Sequence, residues 1–468
     1  MNITHTTEEG LNLPSTRRNF LRNSSLGFGS LALSGLLGQQ QAKASLYQSP
    51  FAPKRAHHAP KAKRIIFLCM KGGPSHMDMF DYKPRLQADD NKPVNKDGKT
   101  RYRGSLWNFS QHGQSGMWFS ELLPNLATQA DQLCMLNGMV SENPEHAQAL
   151  DLLHTGSFQF ARPSMGSWVL YGLGSMNQDL PGFVTINPPS ALGGSKYYGN
   201  AFLPAAYQGT PIGGDNKALA NVQVSNLENH RLNRKQQRQK LDALQALNRQ
   251  LLEKRGQSSQ LEGVIESFEL AFRMQNVLPE VMDISGESEA TKKLYGMDQP
   301  ASKNFGHQCL LARRMAEADV RFIQLTDDGW DHHGGLANGL PRRCASIDKP
   351  IAGLLTDLRQ RGLLEDTLIV WGGEFGRTPD DGTRDGRGHN ATGFTMFMAG
   401  AGVKHGFKYG KTDAHGRKAV EGQIGIHDLH ATMLHLLGLD HEQLTYPWAG
   451  RDFRLTDVHG RVVREILA

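Results

Sequence analysis

Apolar residues in this chain fall into short continuous runs, which alternate with longer segments of helical periodicity. The run at residues 64–70 stops at Lys71-Gly72-Gly73-Pro74, which is typical of a buried, parallel strand. Similar runs predict strands at 133–136, 320–326, 366–373 and 394–400, and helical patterns lie at 122–132, 144–156, 307–318, 351–362 and 428–439. Strands separated by such helices indicate crossover connections. The pattern therefore predicts an α/β fold with a mostly parallel sheet covered on both faces.

One long segment departs from this alternation. From residue 227 to about 274 the pattern is helical, basic at first and then amphipathic, as in QKLDALQALNRQLLEKR. A charged run of this kind is usually a solvated helix face rather than a nucleic-acid-binding helix. We expect a helical insertion at about residues 225–300.

The N-terminus has the layout of an export signal. Arg17 and Arg18 precede an apolar, glycine-rich run at 26–38, which is followed by Ala42-Lys43-Ala44. This layout predicts a twin-arginine signal at residues 1–44, then a linker at 45–63 and one domain at 64–468. A buried N-terminal helix fits less well, because the run ends in three glutamines and is too short to span a bilayer. The predicted partner is the twin-arginine translocase, and the predicted location is periplasmic or extracellular.

Charge and cysteine content narrow the function classes. The formal net charge is +6, to which the signal contributes four cations and two carboxylates (4 − 2 = +2), so the mature chain carries about +4. Such a balance does not favour nucleic acid, and it is compatible with an anionic substrate. No later segment predicts a membrane span. The four cysteines are far apart, which predicts buried thiols rather than a zinc knuckle or disulfides.

Metal-type ligands follow three predicted strand ends and lie in the loop after the third. His76 and Asp78 follow the first strand, Asp331 and His333 lie in GWDHHGG after the 320–326 strand, and Glu374 and His389 follow the 366–373 strand. The carboxyl ends of parallel strands meet at one edge of a sheet. An isolated Asp or His there is more often a cap or turn residue. Together they predict a site for a divalent metal such as Zn²⁺, Mn²⁺, Ca²⁺ or Mg²⁺.

Two further residues are candidates for catalysis. His146 begins a predicted helix, where it could face the same edge of the sheet or be an ordinary surface histidine. Arg377 follows Glu374 and could clamp an anionic group or form a salt bridge. His427, Asp428 and His430 open the last long helix, where capping is the expected role.

Several motifs together resemble a known family, the domain-of-unknown-function family 1501. They are GGPSHMDMFDYKP, EHAQALDLLHTG, GWDHHGG, GGEFGRTP, GRGHN and the tail from 428 to 457. The family looks like a distant branch of the alkaline phosphatase and sulfatase superfamily, which implies a three-layer α/β domain. By that resemblance Glu374 and Phe375 stand at the two positions where the superfamily has a metal-binding Asp and His. His389 matches a metal-binding histidine that comes later in the superfamily pattern. Superfamily spacing points to Asp328 with His332, whereas the family pattern favours Asp331 with His333.

Departures from the superfamily pattern bear on the chemistry. No cysteine has the setting of a formylglycine nucleophile, and the nucleophile's place falls at His146. Lys71 stands where the superfamily usually has a metal-binding Asp. The resemblance implies an exported metal-dependent hydrolase of a phosphate or sulfate ester, on an anionic small molecule or polysaccharide. In it His146 is nucleophile or general acid/base and Arg377 the anion clamp. The alternative is a catalytically degenerate member of the fold that binds a ligand, glycan or protein.

Overall fold

The computed structural model describes residues 49–215, 217–219, 231–255, 258–380 and 385–468. The predicted export signal at 1–44 lies outside these residues, as does the start of the predicted linker. Residues 50–468 form one compact unit around a nine-stranded sheet. The strands of this sheet are β1 (Arg64–Lys71), β2 (Leu133–Val140), β3 (Phe183–Ile186), β4 (Thr210–Ile212), β5 (Phe322–Asp328), β6 (Thr367–Gly372), β7 (Phe394–Gly400), β8 (Phe407–Tyr409) and β9 (Ile424–Gly425).

The sheet is mostly parallel, as the sequence predicts. Its order is β8-β2-β7-β6-β1-β5-β3-β4, and β9 pairs with β2. Strand β1 is central and runs parallel to both β5 and β6, while β7 runs antiparallel to its neighbours β2 and β6. In this register Lys71 lies opposite Asp328 and Cys69 lies opposite Gly372. The carboxyl ends of β1, β5 and β6 therefore meet at one edge.

Helices cover both faces of the sheet. The longer helices are α1 (His146–Thr155), α2 (Met165–Leu173), α3 (Arg234–Arg255), α4 (Ser259–Met282), α5 (Lys303–Glu317), α6 (Leu336–Gln360) and α7 (Ile426–Leu436). Alternate side chains of β1 enter two cores. Ile66 and Leu68 pack with α5 and α6, and Ile65 and Phe67 pack with α1, α2 and α7. This three-layer α/β arrangement confirms the predicted fold class.

Short elements complete the structure. Short helices lie at His76–Met79, Pro84–Ala88, Pro124–Ala127 and Glu289–Leu294, and 3-10 turns at Ala130–Gln132, Gly194–Tyr198, Ala205–Tyr207 and Arg464–Ile466. Two-stranded ribbons pair Phe109–His112 with Met117–Ser120, Gly376–Arg377 with His389–Asn390, Lys411–Thr412 with Ala419–Glu421, and Tyr446–Trp448 with Arg451–Phe453. The Gly376–Arg377 ribbon places His389 directly opposite Arg377.

The prediction of one helix over residues 122–132 is wrong. The chain forms one short helix, Pro124–Ala127, and then the 3-10 turn Ala130–Gln132. The Asp348 carboxylate accepts hydrogen bonds from the backbone amides of Asn125 and Leu126 at 3.0 and 2.7 Å, and the Thr128 hydroxyl bonds to the Asn125 carbonyl. These hydrogen bonds to side chains take the place of the backbone hydrogen bonds that a longer helix would form.

Within the predicted insertion, α3 and α4 form an antiparallel pair. Gln245 of α3 donates to the Ile265 carbonyl of α4, and Arg238 pairs with Glu269. Among the described helices, none has both the length and the apolar character that crossing a bilayer requires. All four cysteines are buried free thiols.

Candidate metal centre

Four side chains from three separate segments of the chain converge at the carboxyl edge of the sheet. One ligand atom from each of His146, Asp331, His333 and His389 lies within 4.8 Å of the other three. His146 begins α1 after β2, Asp331 and His333 follow β5, and His389 precedes β7. Because β7 is antiparallel, its beginning lies at the same edge as the ends of β5 and β2. The topology thus gathers residues separated by up to 243 positions in the chain.

The turn after β5 presents Asp331 to this edge. Gly329 has a φ of 98°, and Trp330 is buried with its indole N–H donating to Asp327 at 3.0 Å. The next residue, Asp331, passes so close to the end of β1 that a Cβ on Gly72 would lie 2.7 Å from the Asp331 backbone nitrogen. Glycine at position 72, with a φ of 117°, permits this approach.

Glu374 fixes the tautomer and orientation of His146. The carboxylate is fully buried and lies 2.5 Å from His146 Nδ1, and it also accepts the Gly72 amide at 3.0 and 3.2 Å. A carboxylate accepts, so Nδ1 carries the proton and Nε2 faces the cluster. That Nε2 atom is buried and makes no hydrogen bond, although Asp331 Oδ1 is 3.3 Å away. Burial acts to lower the pKa of His146, but Asp331 and Glu374 raise it to about 9.

His389 is oriented in the same manner by a backbone carbonyl. Its Nδ1 lies 2.7 Å from the Pro144 oxygen, which can only accept, so the His389 Nε2 atom also faces the cluster. It is 2.8 Å from His333 Nε2 and 3.5 Å from Asp331 Oδ1. Two imidazole nitrogens at this distance repel unless a proton or a cation lies between them. Burial lowers the pKa of His333, an effect that Asp331 opposes.

Arg377 holds the Asp331 carboxylate in place. Its Nη2 donates to Asp331 Oδ1 at 2.6 Å and also to the Gly72 carbonyl, while Nε donates to the Gly73 carbonyl at 2.8 Å. The side chain is almost fully buried. Burial acts to raise the pKa of Asp331, but His146, His389 and Arg377 lower it well below its usual range. Asp331 is therefore a carboxylate at neutral pH.

Access to the cluster is asymmetric. The Asp331 and His333 side chains are 43% and 39% exposed, whereas those of His146 and His389 are 15% and 18% exposed. Beneath them the Phe375 ring contacts the His146 and His389 rings at centroid distances of 4.8 and 4.7 Å. The cluster thus has a closed apolar floor and an open side at Asp331 and His333.

Other predicted ligands lie outside this cluster. Asp78 forms a buried, two-bond ion pair with Arg387 at 2.6 and 3.0 Å and accepts the Ser75 hydroxyl. His76 is buried, with Nε2 2.9 Å from the Gly416 carbonyl. Their places in the ligand set were predicted from the sequence, and the cluster is formed without them.

The structure distinguishes the two alternative ligand pairs of this loop, Asp328 with His332 and Asp331 with His333. Lys71 Nζ lies 2.6 Å from Asp328 Oδ2, so Asp328 is engaged in a salt bridge. The His332 ring packs on Gly339 of α6, where an added Cβ would lie 2.4 Å from it. Asp331 and His333 are the pair that faces the cluster.

Sequence reasoning missed two contributions to the site. It placed Glu374 among the ligands, whereas its oxygens bond to His146 and to the Gly72 amide. It also gave no role to the Pro144 carbonyl, because a backbone acceptor leaves no mark in a sequence. For Glu374 the only signal was its position at the end of a strand.

A family model described as protein of unknown function (DUF1501) matches residues 62–467. The chain belongs to this family. The match confirms the family identified from the motifs. No curated protein matches the chain.

Solved structures match at low identity. The lipoteichoic acid synthase LtaP of Listeria monocytogenes is 11% identical, with 87% of this chain and 78% of that chain covered and a TM-score of 0.36. The PsFucS1 sulfatase from Pseudoalteromonas sp. is 13% identical, with coverages of 81% and 68% and a TM-score of 0.35. Alkaline phosphatase from the Antarctic bacterium TAB5 is 10% identical, with coverages of 82% and 99% and a TM-score of 0.36.

Proposed function

We propose that this protein is an exported, metal-dependent hydrolase of phosphate or sulfate esters. The observation that carries the metal assignment is the buried Nε2 atom of His146, which has no hydrogen-bond partner and faces Asp331, His333 and His389. A buried polar atom without a partner is costly, and a cation bound at this position would satisfy it. The ester class rests on the motif resemblance to alkaline phosphatases and sulfatases.

The donor set favours a borderline metal over a hard one. Three imidazole nitrogens and one carboxylate suit Zn²⁺, whereas Ca²⁺ and Mg²⁺ bind mainly oxygen. His146 and His389 have their outer nitrogens held by Glu374 and Pro144, the outer-shell arrangement typical of metal-binding histidines. We assign these four side chains as the ligands, with Zn²⁺ as the preferred ion.

The chain's own residues define how a substrate would bind. A divalent cation there would polarise an ester oxygen and lower the pKa of a water molecule. Asp331 and His333 form the open side, so the ester approaches from there. Arg377 has most of its N–H groups engaged by Asp331 and backbone carbonyls, so we assign it a positioning role for Asp331 rather than direct contact with substrate.

Two serine hydroxyls, those of Ser75 and Ser141, are candidate nucleophiles. The Ser75 hydroxyl donates to Asp78 at 2.5 Å, and the Ser141 hydroxyl is buried with no hydrogen-bond partner. Among the described residues, neither hydroxyl forms a hydrogen bond with the four ligands. We therefore infer that water, rather than a serine, attacks the ester. His146, as a ligand, is then not the nucleophile.

Metal analysis of the exported protein tests the assignment. Wild type should contain near-stoichiometric metal by inductively coupled plasma mass spectrometry, and an Asp331→Ala/His333→Ala variant should lose it. The matched control, Asp328→Ala/His332→Ala, removes the same residue types from the same loop but outside the cluster and should retain metal. Absence of metal from wild type after incubation with Zn²⁺, Mn²⁺ and Ca²⁺ would refute the metal site.

Activity separates the hydrolase from its alternative, a degenerate member of the fold that binds a ligand without turnover. The absence, among the described residues, of a hydrogen bond between either serine hydroxyl and the four side chains favours this alternative. Metal-loaded wild type that hydrolyses nitrophenyl phosphate or sulfate, with loss in the cluster variant, supports the hydrolase. Retained metal with no turnover on phosphate, sulfate and phosphonate esters supports the binding protein.

A further inference from the structure

The α3–α4 pair exposes an apolar surface that the proposed metal centre does not use. We define the insertion face as Leu244, Leu247 and Leu251 of α3 together with Val264 and Phe268 of α4. Leu247 is 63% exposed and Phe268 is 45% exposed, and both helices lie within the compact unit. Large apolar side chains grouped in this way mark a binding surface more often than isolated ones do.

Helical spacing makes these residues one continuous face. The leucines follow a spacing of three and four residues, and Val264 and Phe268 are four apart, so each set forms a line along its helix. The leucine line lies about a third of a turn from Gln245, which marks the side of α3 that contacts α4, and the line of Val264 and Phe268 lies about a quarter turn from Ile265 of α4. Because the helices are antiparallel, both lines point to the same side of the pair.

The remaining sides of α4 are already engaged. Gly263 approaches Pro204 closely enough that an added Cβ would lie 3.0 Å from it, and Leu278 is fully buried in the core. Glu269 bonds to Arg238 of α3. The insertion face is therefore the exposed apolar side of the pair.

The charges along this face are basic. Lys240 and Lys254 are exposed and continue the leucine line at its two ends, four residues before Leu244 and three after Leu251. The nearby carboxylates of Asp242 and Glu269 lie on other sides of the pair, where Arg238 binds both. Two copies of the insertion face packed on each other would bring lysines together without these carboxylates. The face thus complements an anionic surface better than it complements itself.

We propose that the insertion face binds the surface of an anionic lipid bilayer. Leucine and phenylalanine side chains enter the interface, and the two lysines extend to the lipid phosphates. An amphipathic surface of this composition lies in the membrane plane without spanning it. The protein would then act on its substrate while attached to a membrane, whatever that substrate is.

Vesicle flotation with the exported protein tests this. We expect binding to equimolar phosphatidylglycerol and phosphatidylcholine, and much weaker binding to pure phosphatidylcholine. Each of Lys240→Gln and Lys254→Gln should lower the partition coefficient about fivefold, and Leu247→Gln/Phe268→Gln roughly tenfold or more. High salt should weaken binding to the anionic vesicles, because it screens the lysines.

Matched controls lie on the opposite side of α3. Lys235→Gln removes one charge and Ala246→Gln adds one polar side chain, both at exposed positions away from the insertion face. Neither should change binding, and circular dichroism should show that all variants keep their helices. Equal binding to both vesicle types, or equal losses in the controls, would overturn the proposal. So would a dimer in light scattering that Leu247→Gln dissociates, because it would assign the face to a second copy.

Discussion

Replacing Glu374 by glutamine tests whether this carboxylate prepares His146 for metal. The change keeps the size of the side chain and removes the negative charge that accepts the His146 Nδ1 proton at 2.5 Å. In the variant, the amide NH₂ group can replace an oxygen beside the Gly72 N–H, so that donor faces donor. His146 Nδ1 then donates to a neutral amide oxygen instead of a carboxylate, which weakens the bond that fixes its tautomer, although all four proposed ligands remain.

The size of the effect follows from the bonds removed. A hydrogen bond to a charged group contributes about 1.5–3 kcal/mol. Loss of a carboxylate that orients a metal-binding histidine lowers metal affinity about 10–100-fold. This corresponds to about 1.4–2.8 kcal/mol of binding free energy. We expect a loss in that range for Glu374→Gln, and a larger loss for His389→Ala, which removes a ligand outright.

Competition with a chelating dye measures the Zn²⁺ dissociation constant of each variant at pH 8. Glu365→Gln is the control, because it removes one carboxylate from an exposed loop before β6, at the opposite edge of the sheet. The control should bind as wild type does. A change of less than threefold in Glu374→Gln, with folding intact, would refute the role assigned to Glu374.

Three further predictions concern stability. Burial raises the pKa of Asp327 to about 6, so the stability provided by its protonated form is present below pH 4 and lost as the pH rises through 6. The change that Asp327→Asn makes to the free energy of unfolding, measured in urea, should therefore be more favourable at pH 8 than at pH 4 by up to about 3 kcal/mol. Equal changes at both pH values would contradict this. Asp78→Asn breaks the buried pair with Arg387 and should cost about 3–5 kcal/mol while leaving metal content unchanged; metal loss in the folded variant would instead make Asp78 a ligand. Gly156→Ala should lower the free energy of unfolding by at least about 2 kcal/mol, because φ at this position is 70° and the new Cβ would lie 2.0 Å from the Leu455 carbonyl oxygen. The melting temperature should fall accordingly, and an unchanged melting temperature would contradict this.

The fold could be predicted because its strands are written as local apolar runs. All eight residues of β1 are buried, and the sequence marks their end with Lys71-Gly72-Gly73-Pro74. The prediction of a helix at 122–132 was wrong for a non-local reason. The Asp348 carboxylate, which accepts hydrogen bonds from backbone amides of this segment, lies on α6. Sequence periodicity does not contain such a contact.

For the candidate site, the sequence could predict the edge of the sheet at which it lies but not its internal contacts. Ligand-type residues at strand ends were visible in the sequence, but their partners were not. The contact between His146 and Glu374 joins residues 228 positions apart, and the orientation of His389 depends on the Pro144 carbonyl. The contacts of Asp78 with Arg387 and of His76 with the Gly416 carbonyl also join residues from separate loops.

The Lys71 position explains why the cluster forms at Asp331 rather than at Asp328. Register places Lys71 opposite Asp328, and the ammonium group 2.6 Å from its carboxylate supplies the positive charge there. A cation near Asp328 would therefore meet an ammonium group, and the attraction of the carboxylate is already offset. Three residues later, Asp331 faces three histidines and Arg377, and its side chain remains 43% exposed. The salt bridge of Lys71 thus offsets the charge of Asp328 and leaves the four-residue cluster beside it as the place that we propose for a metal.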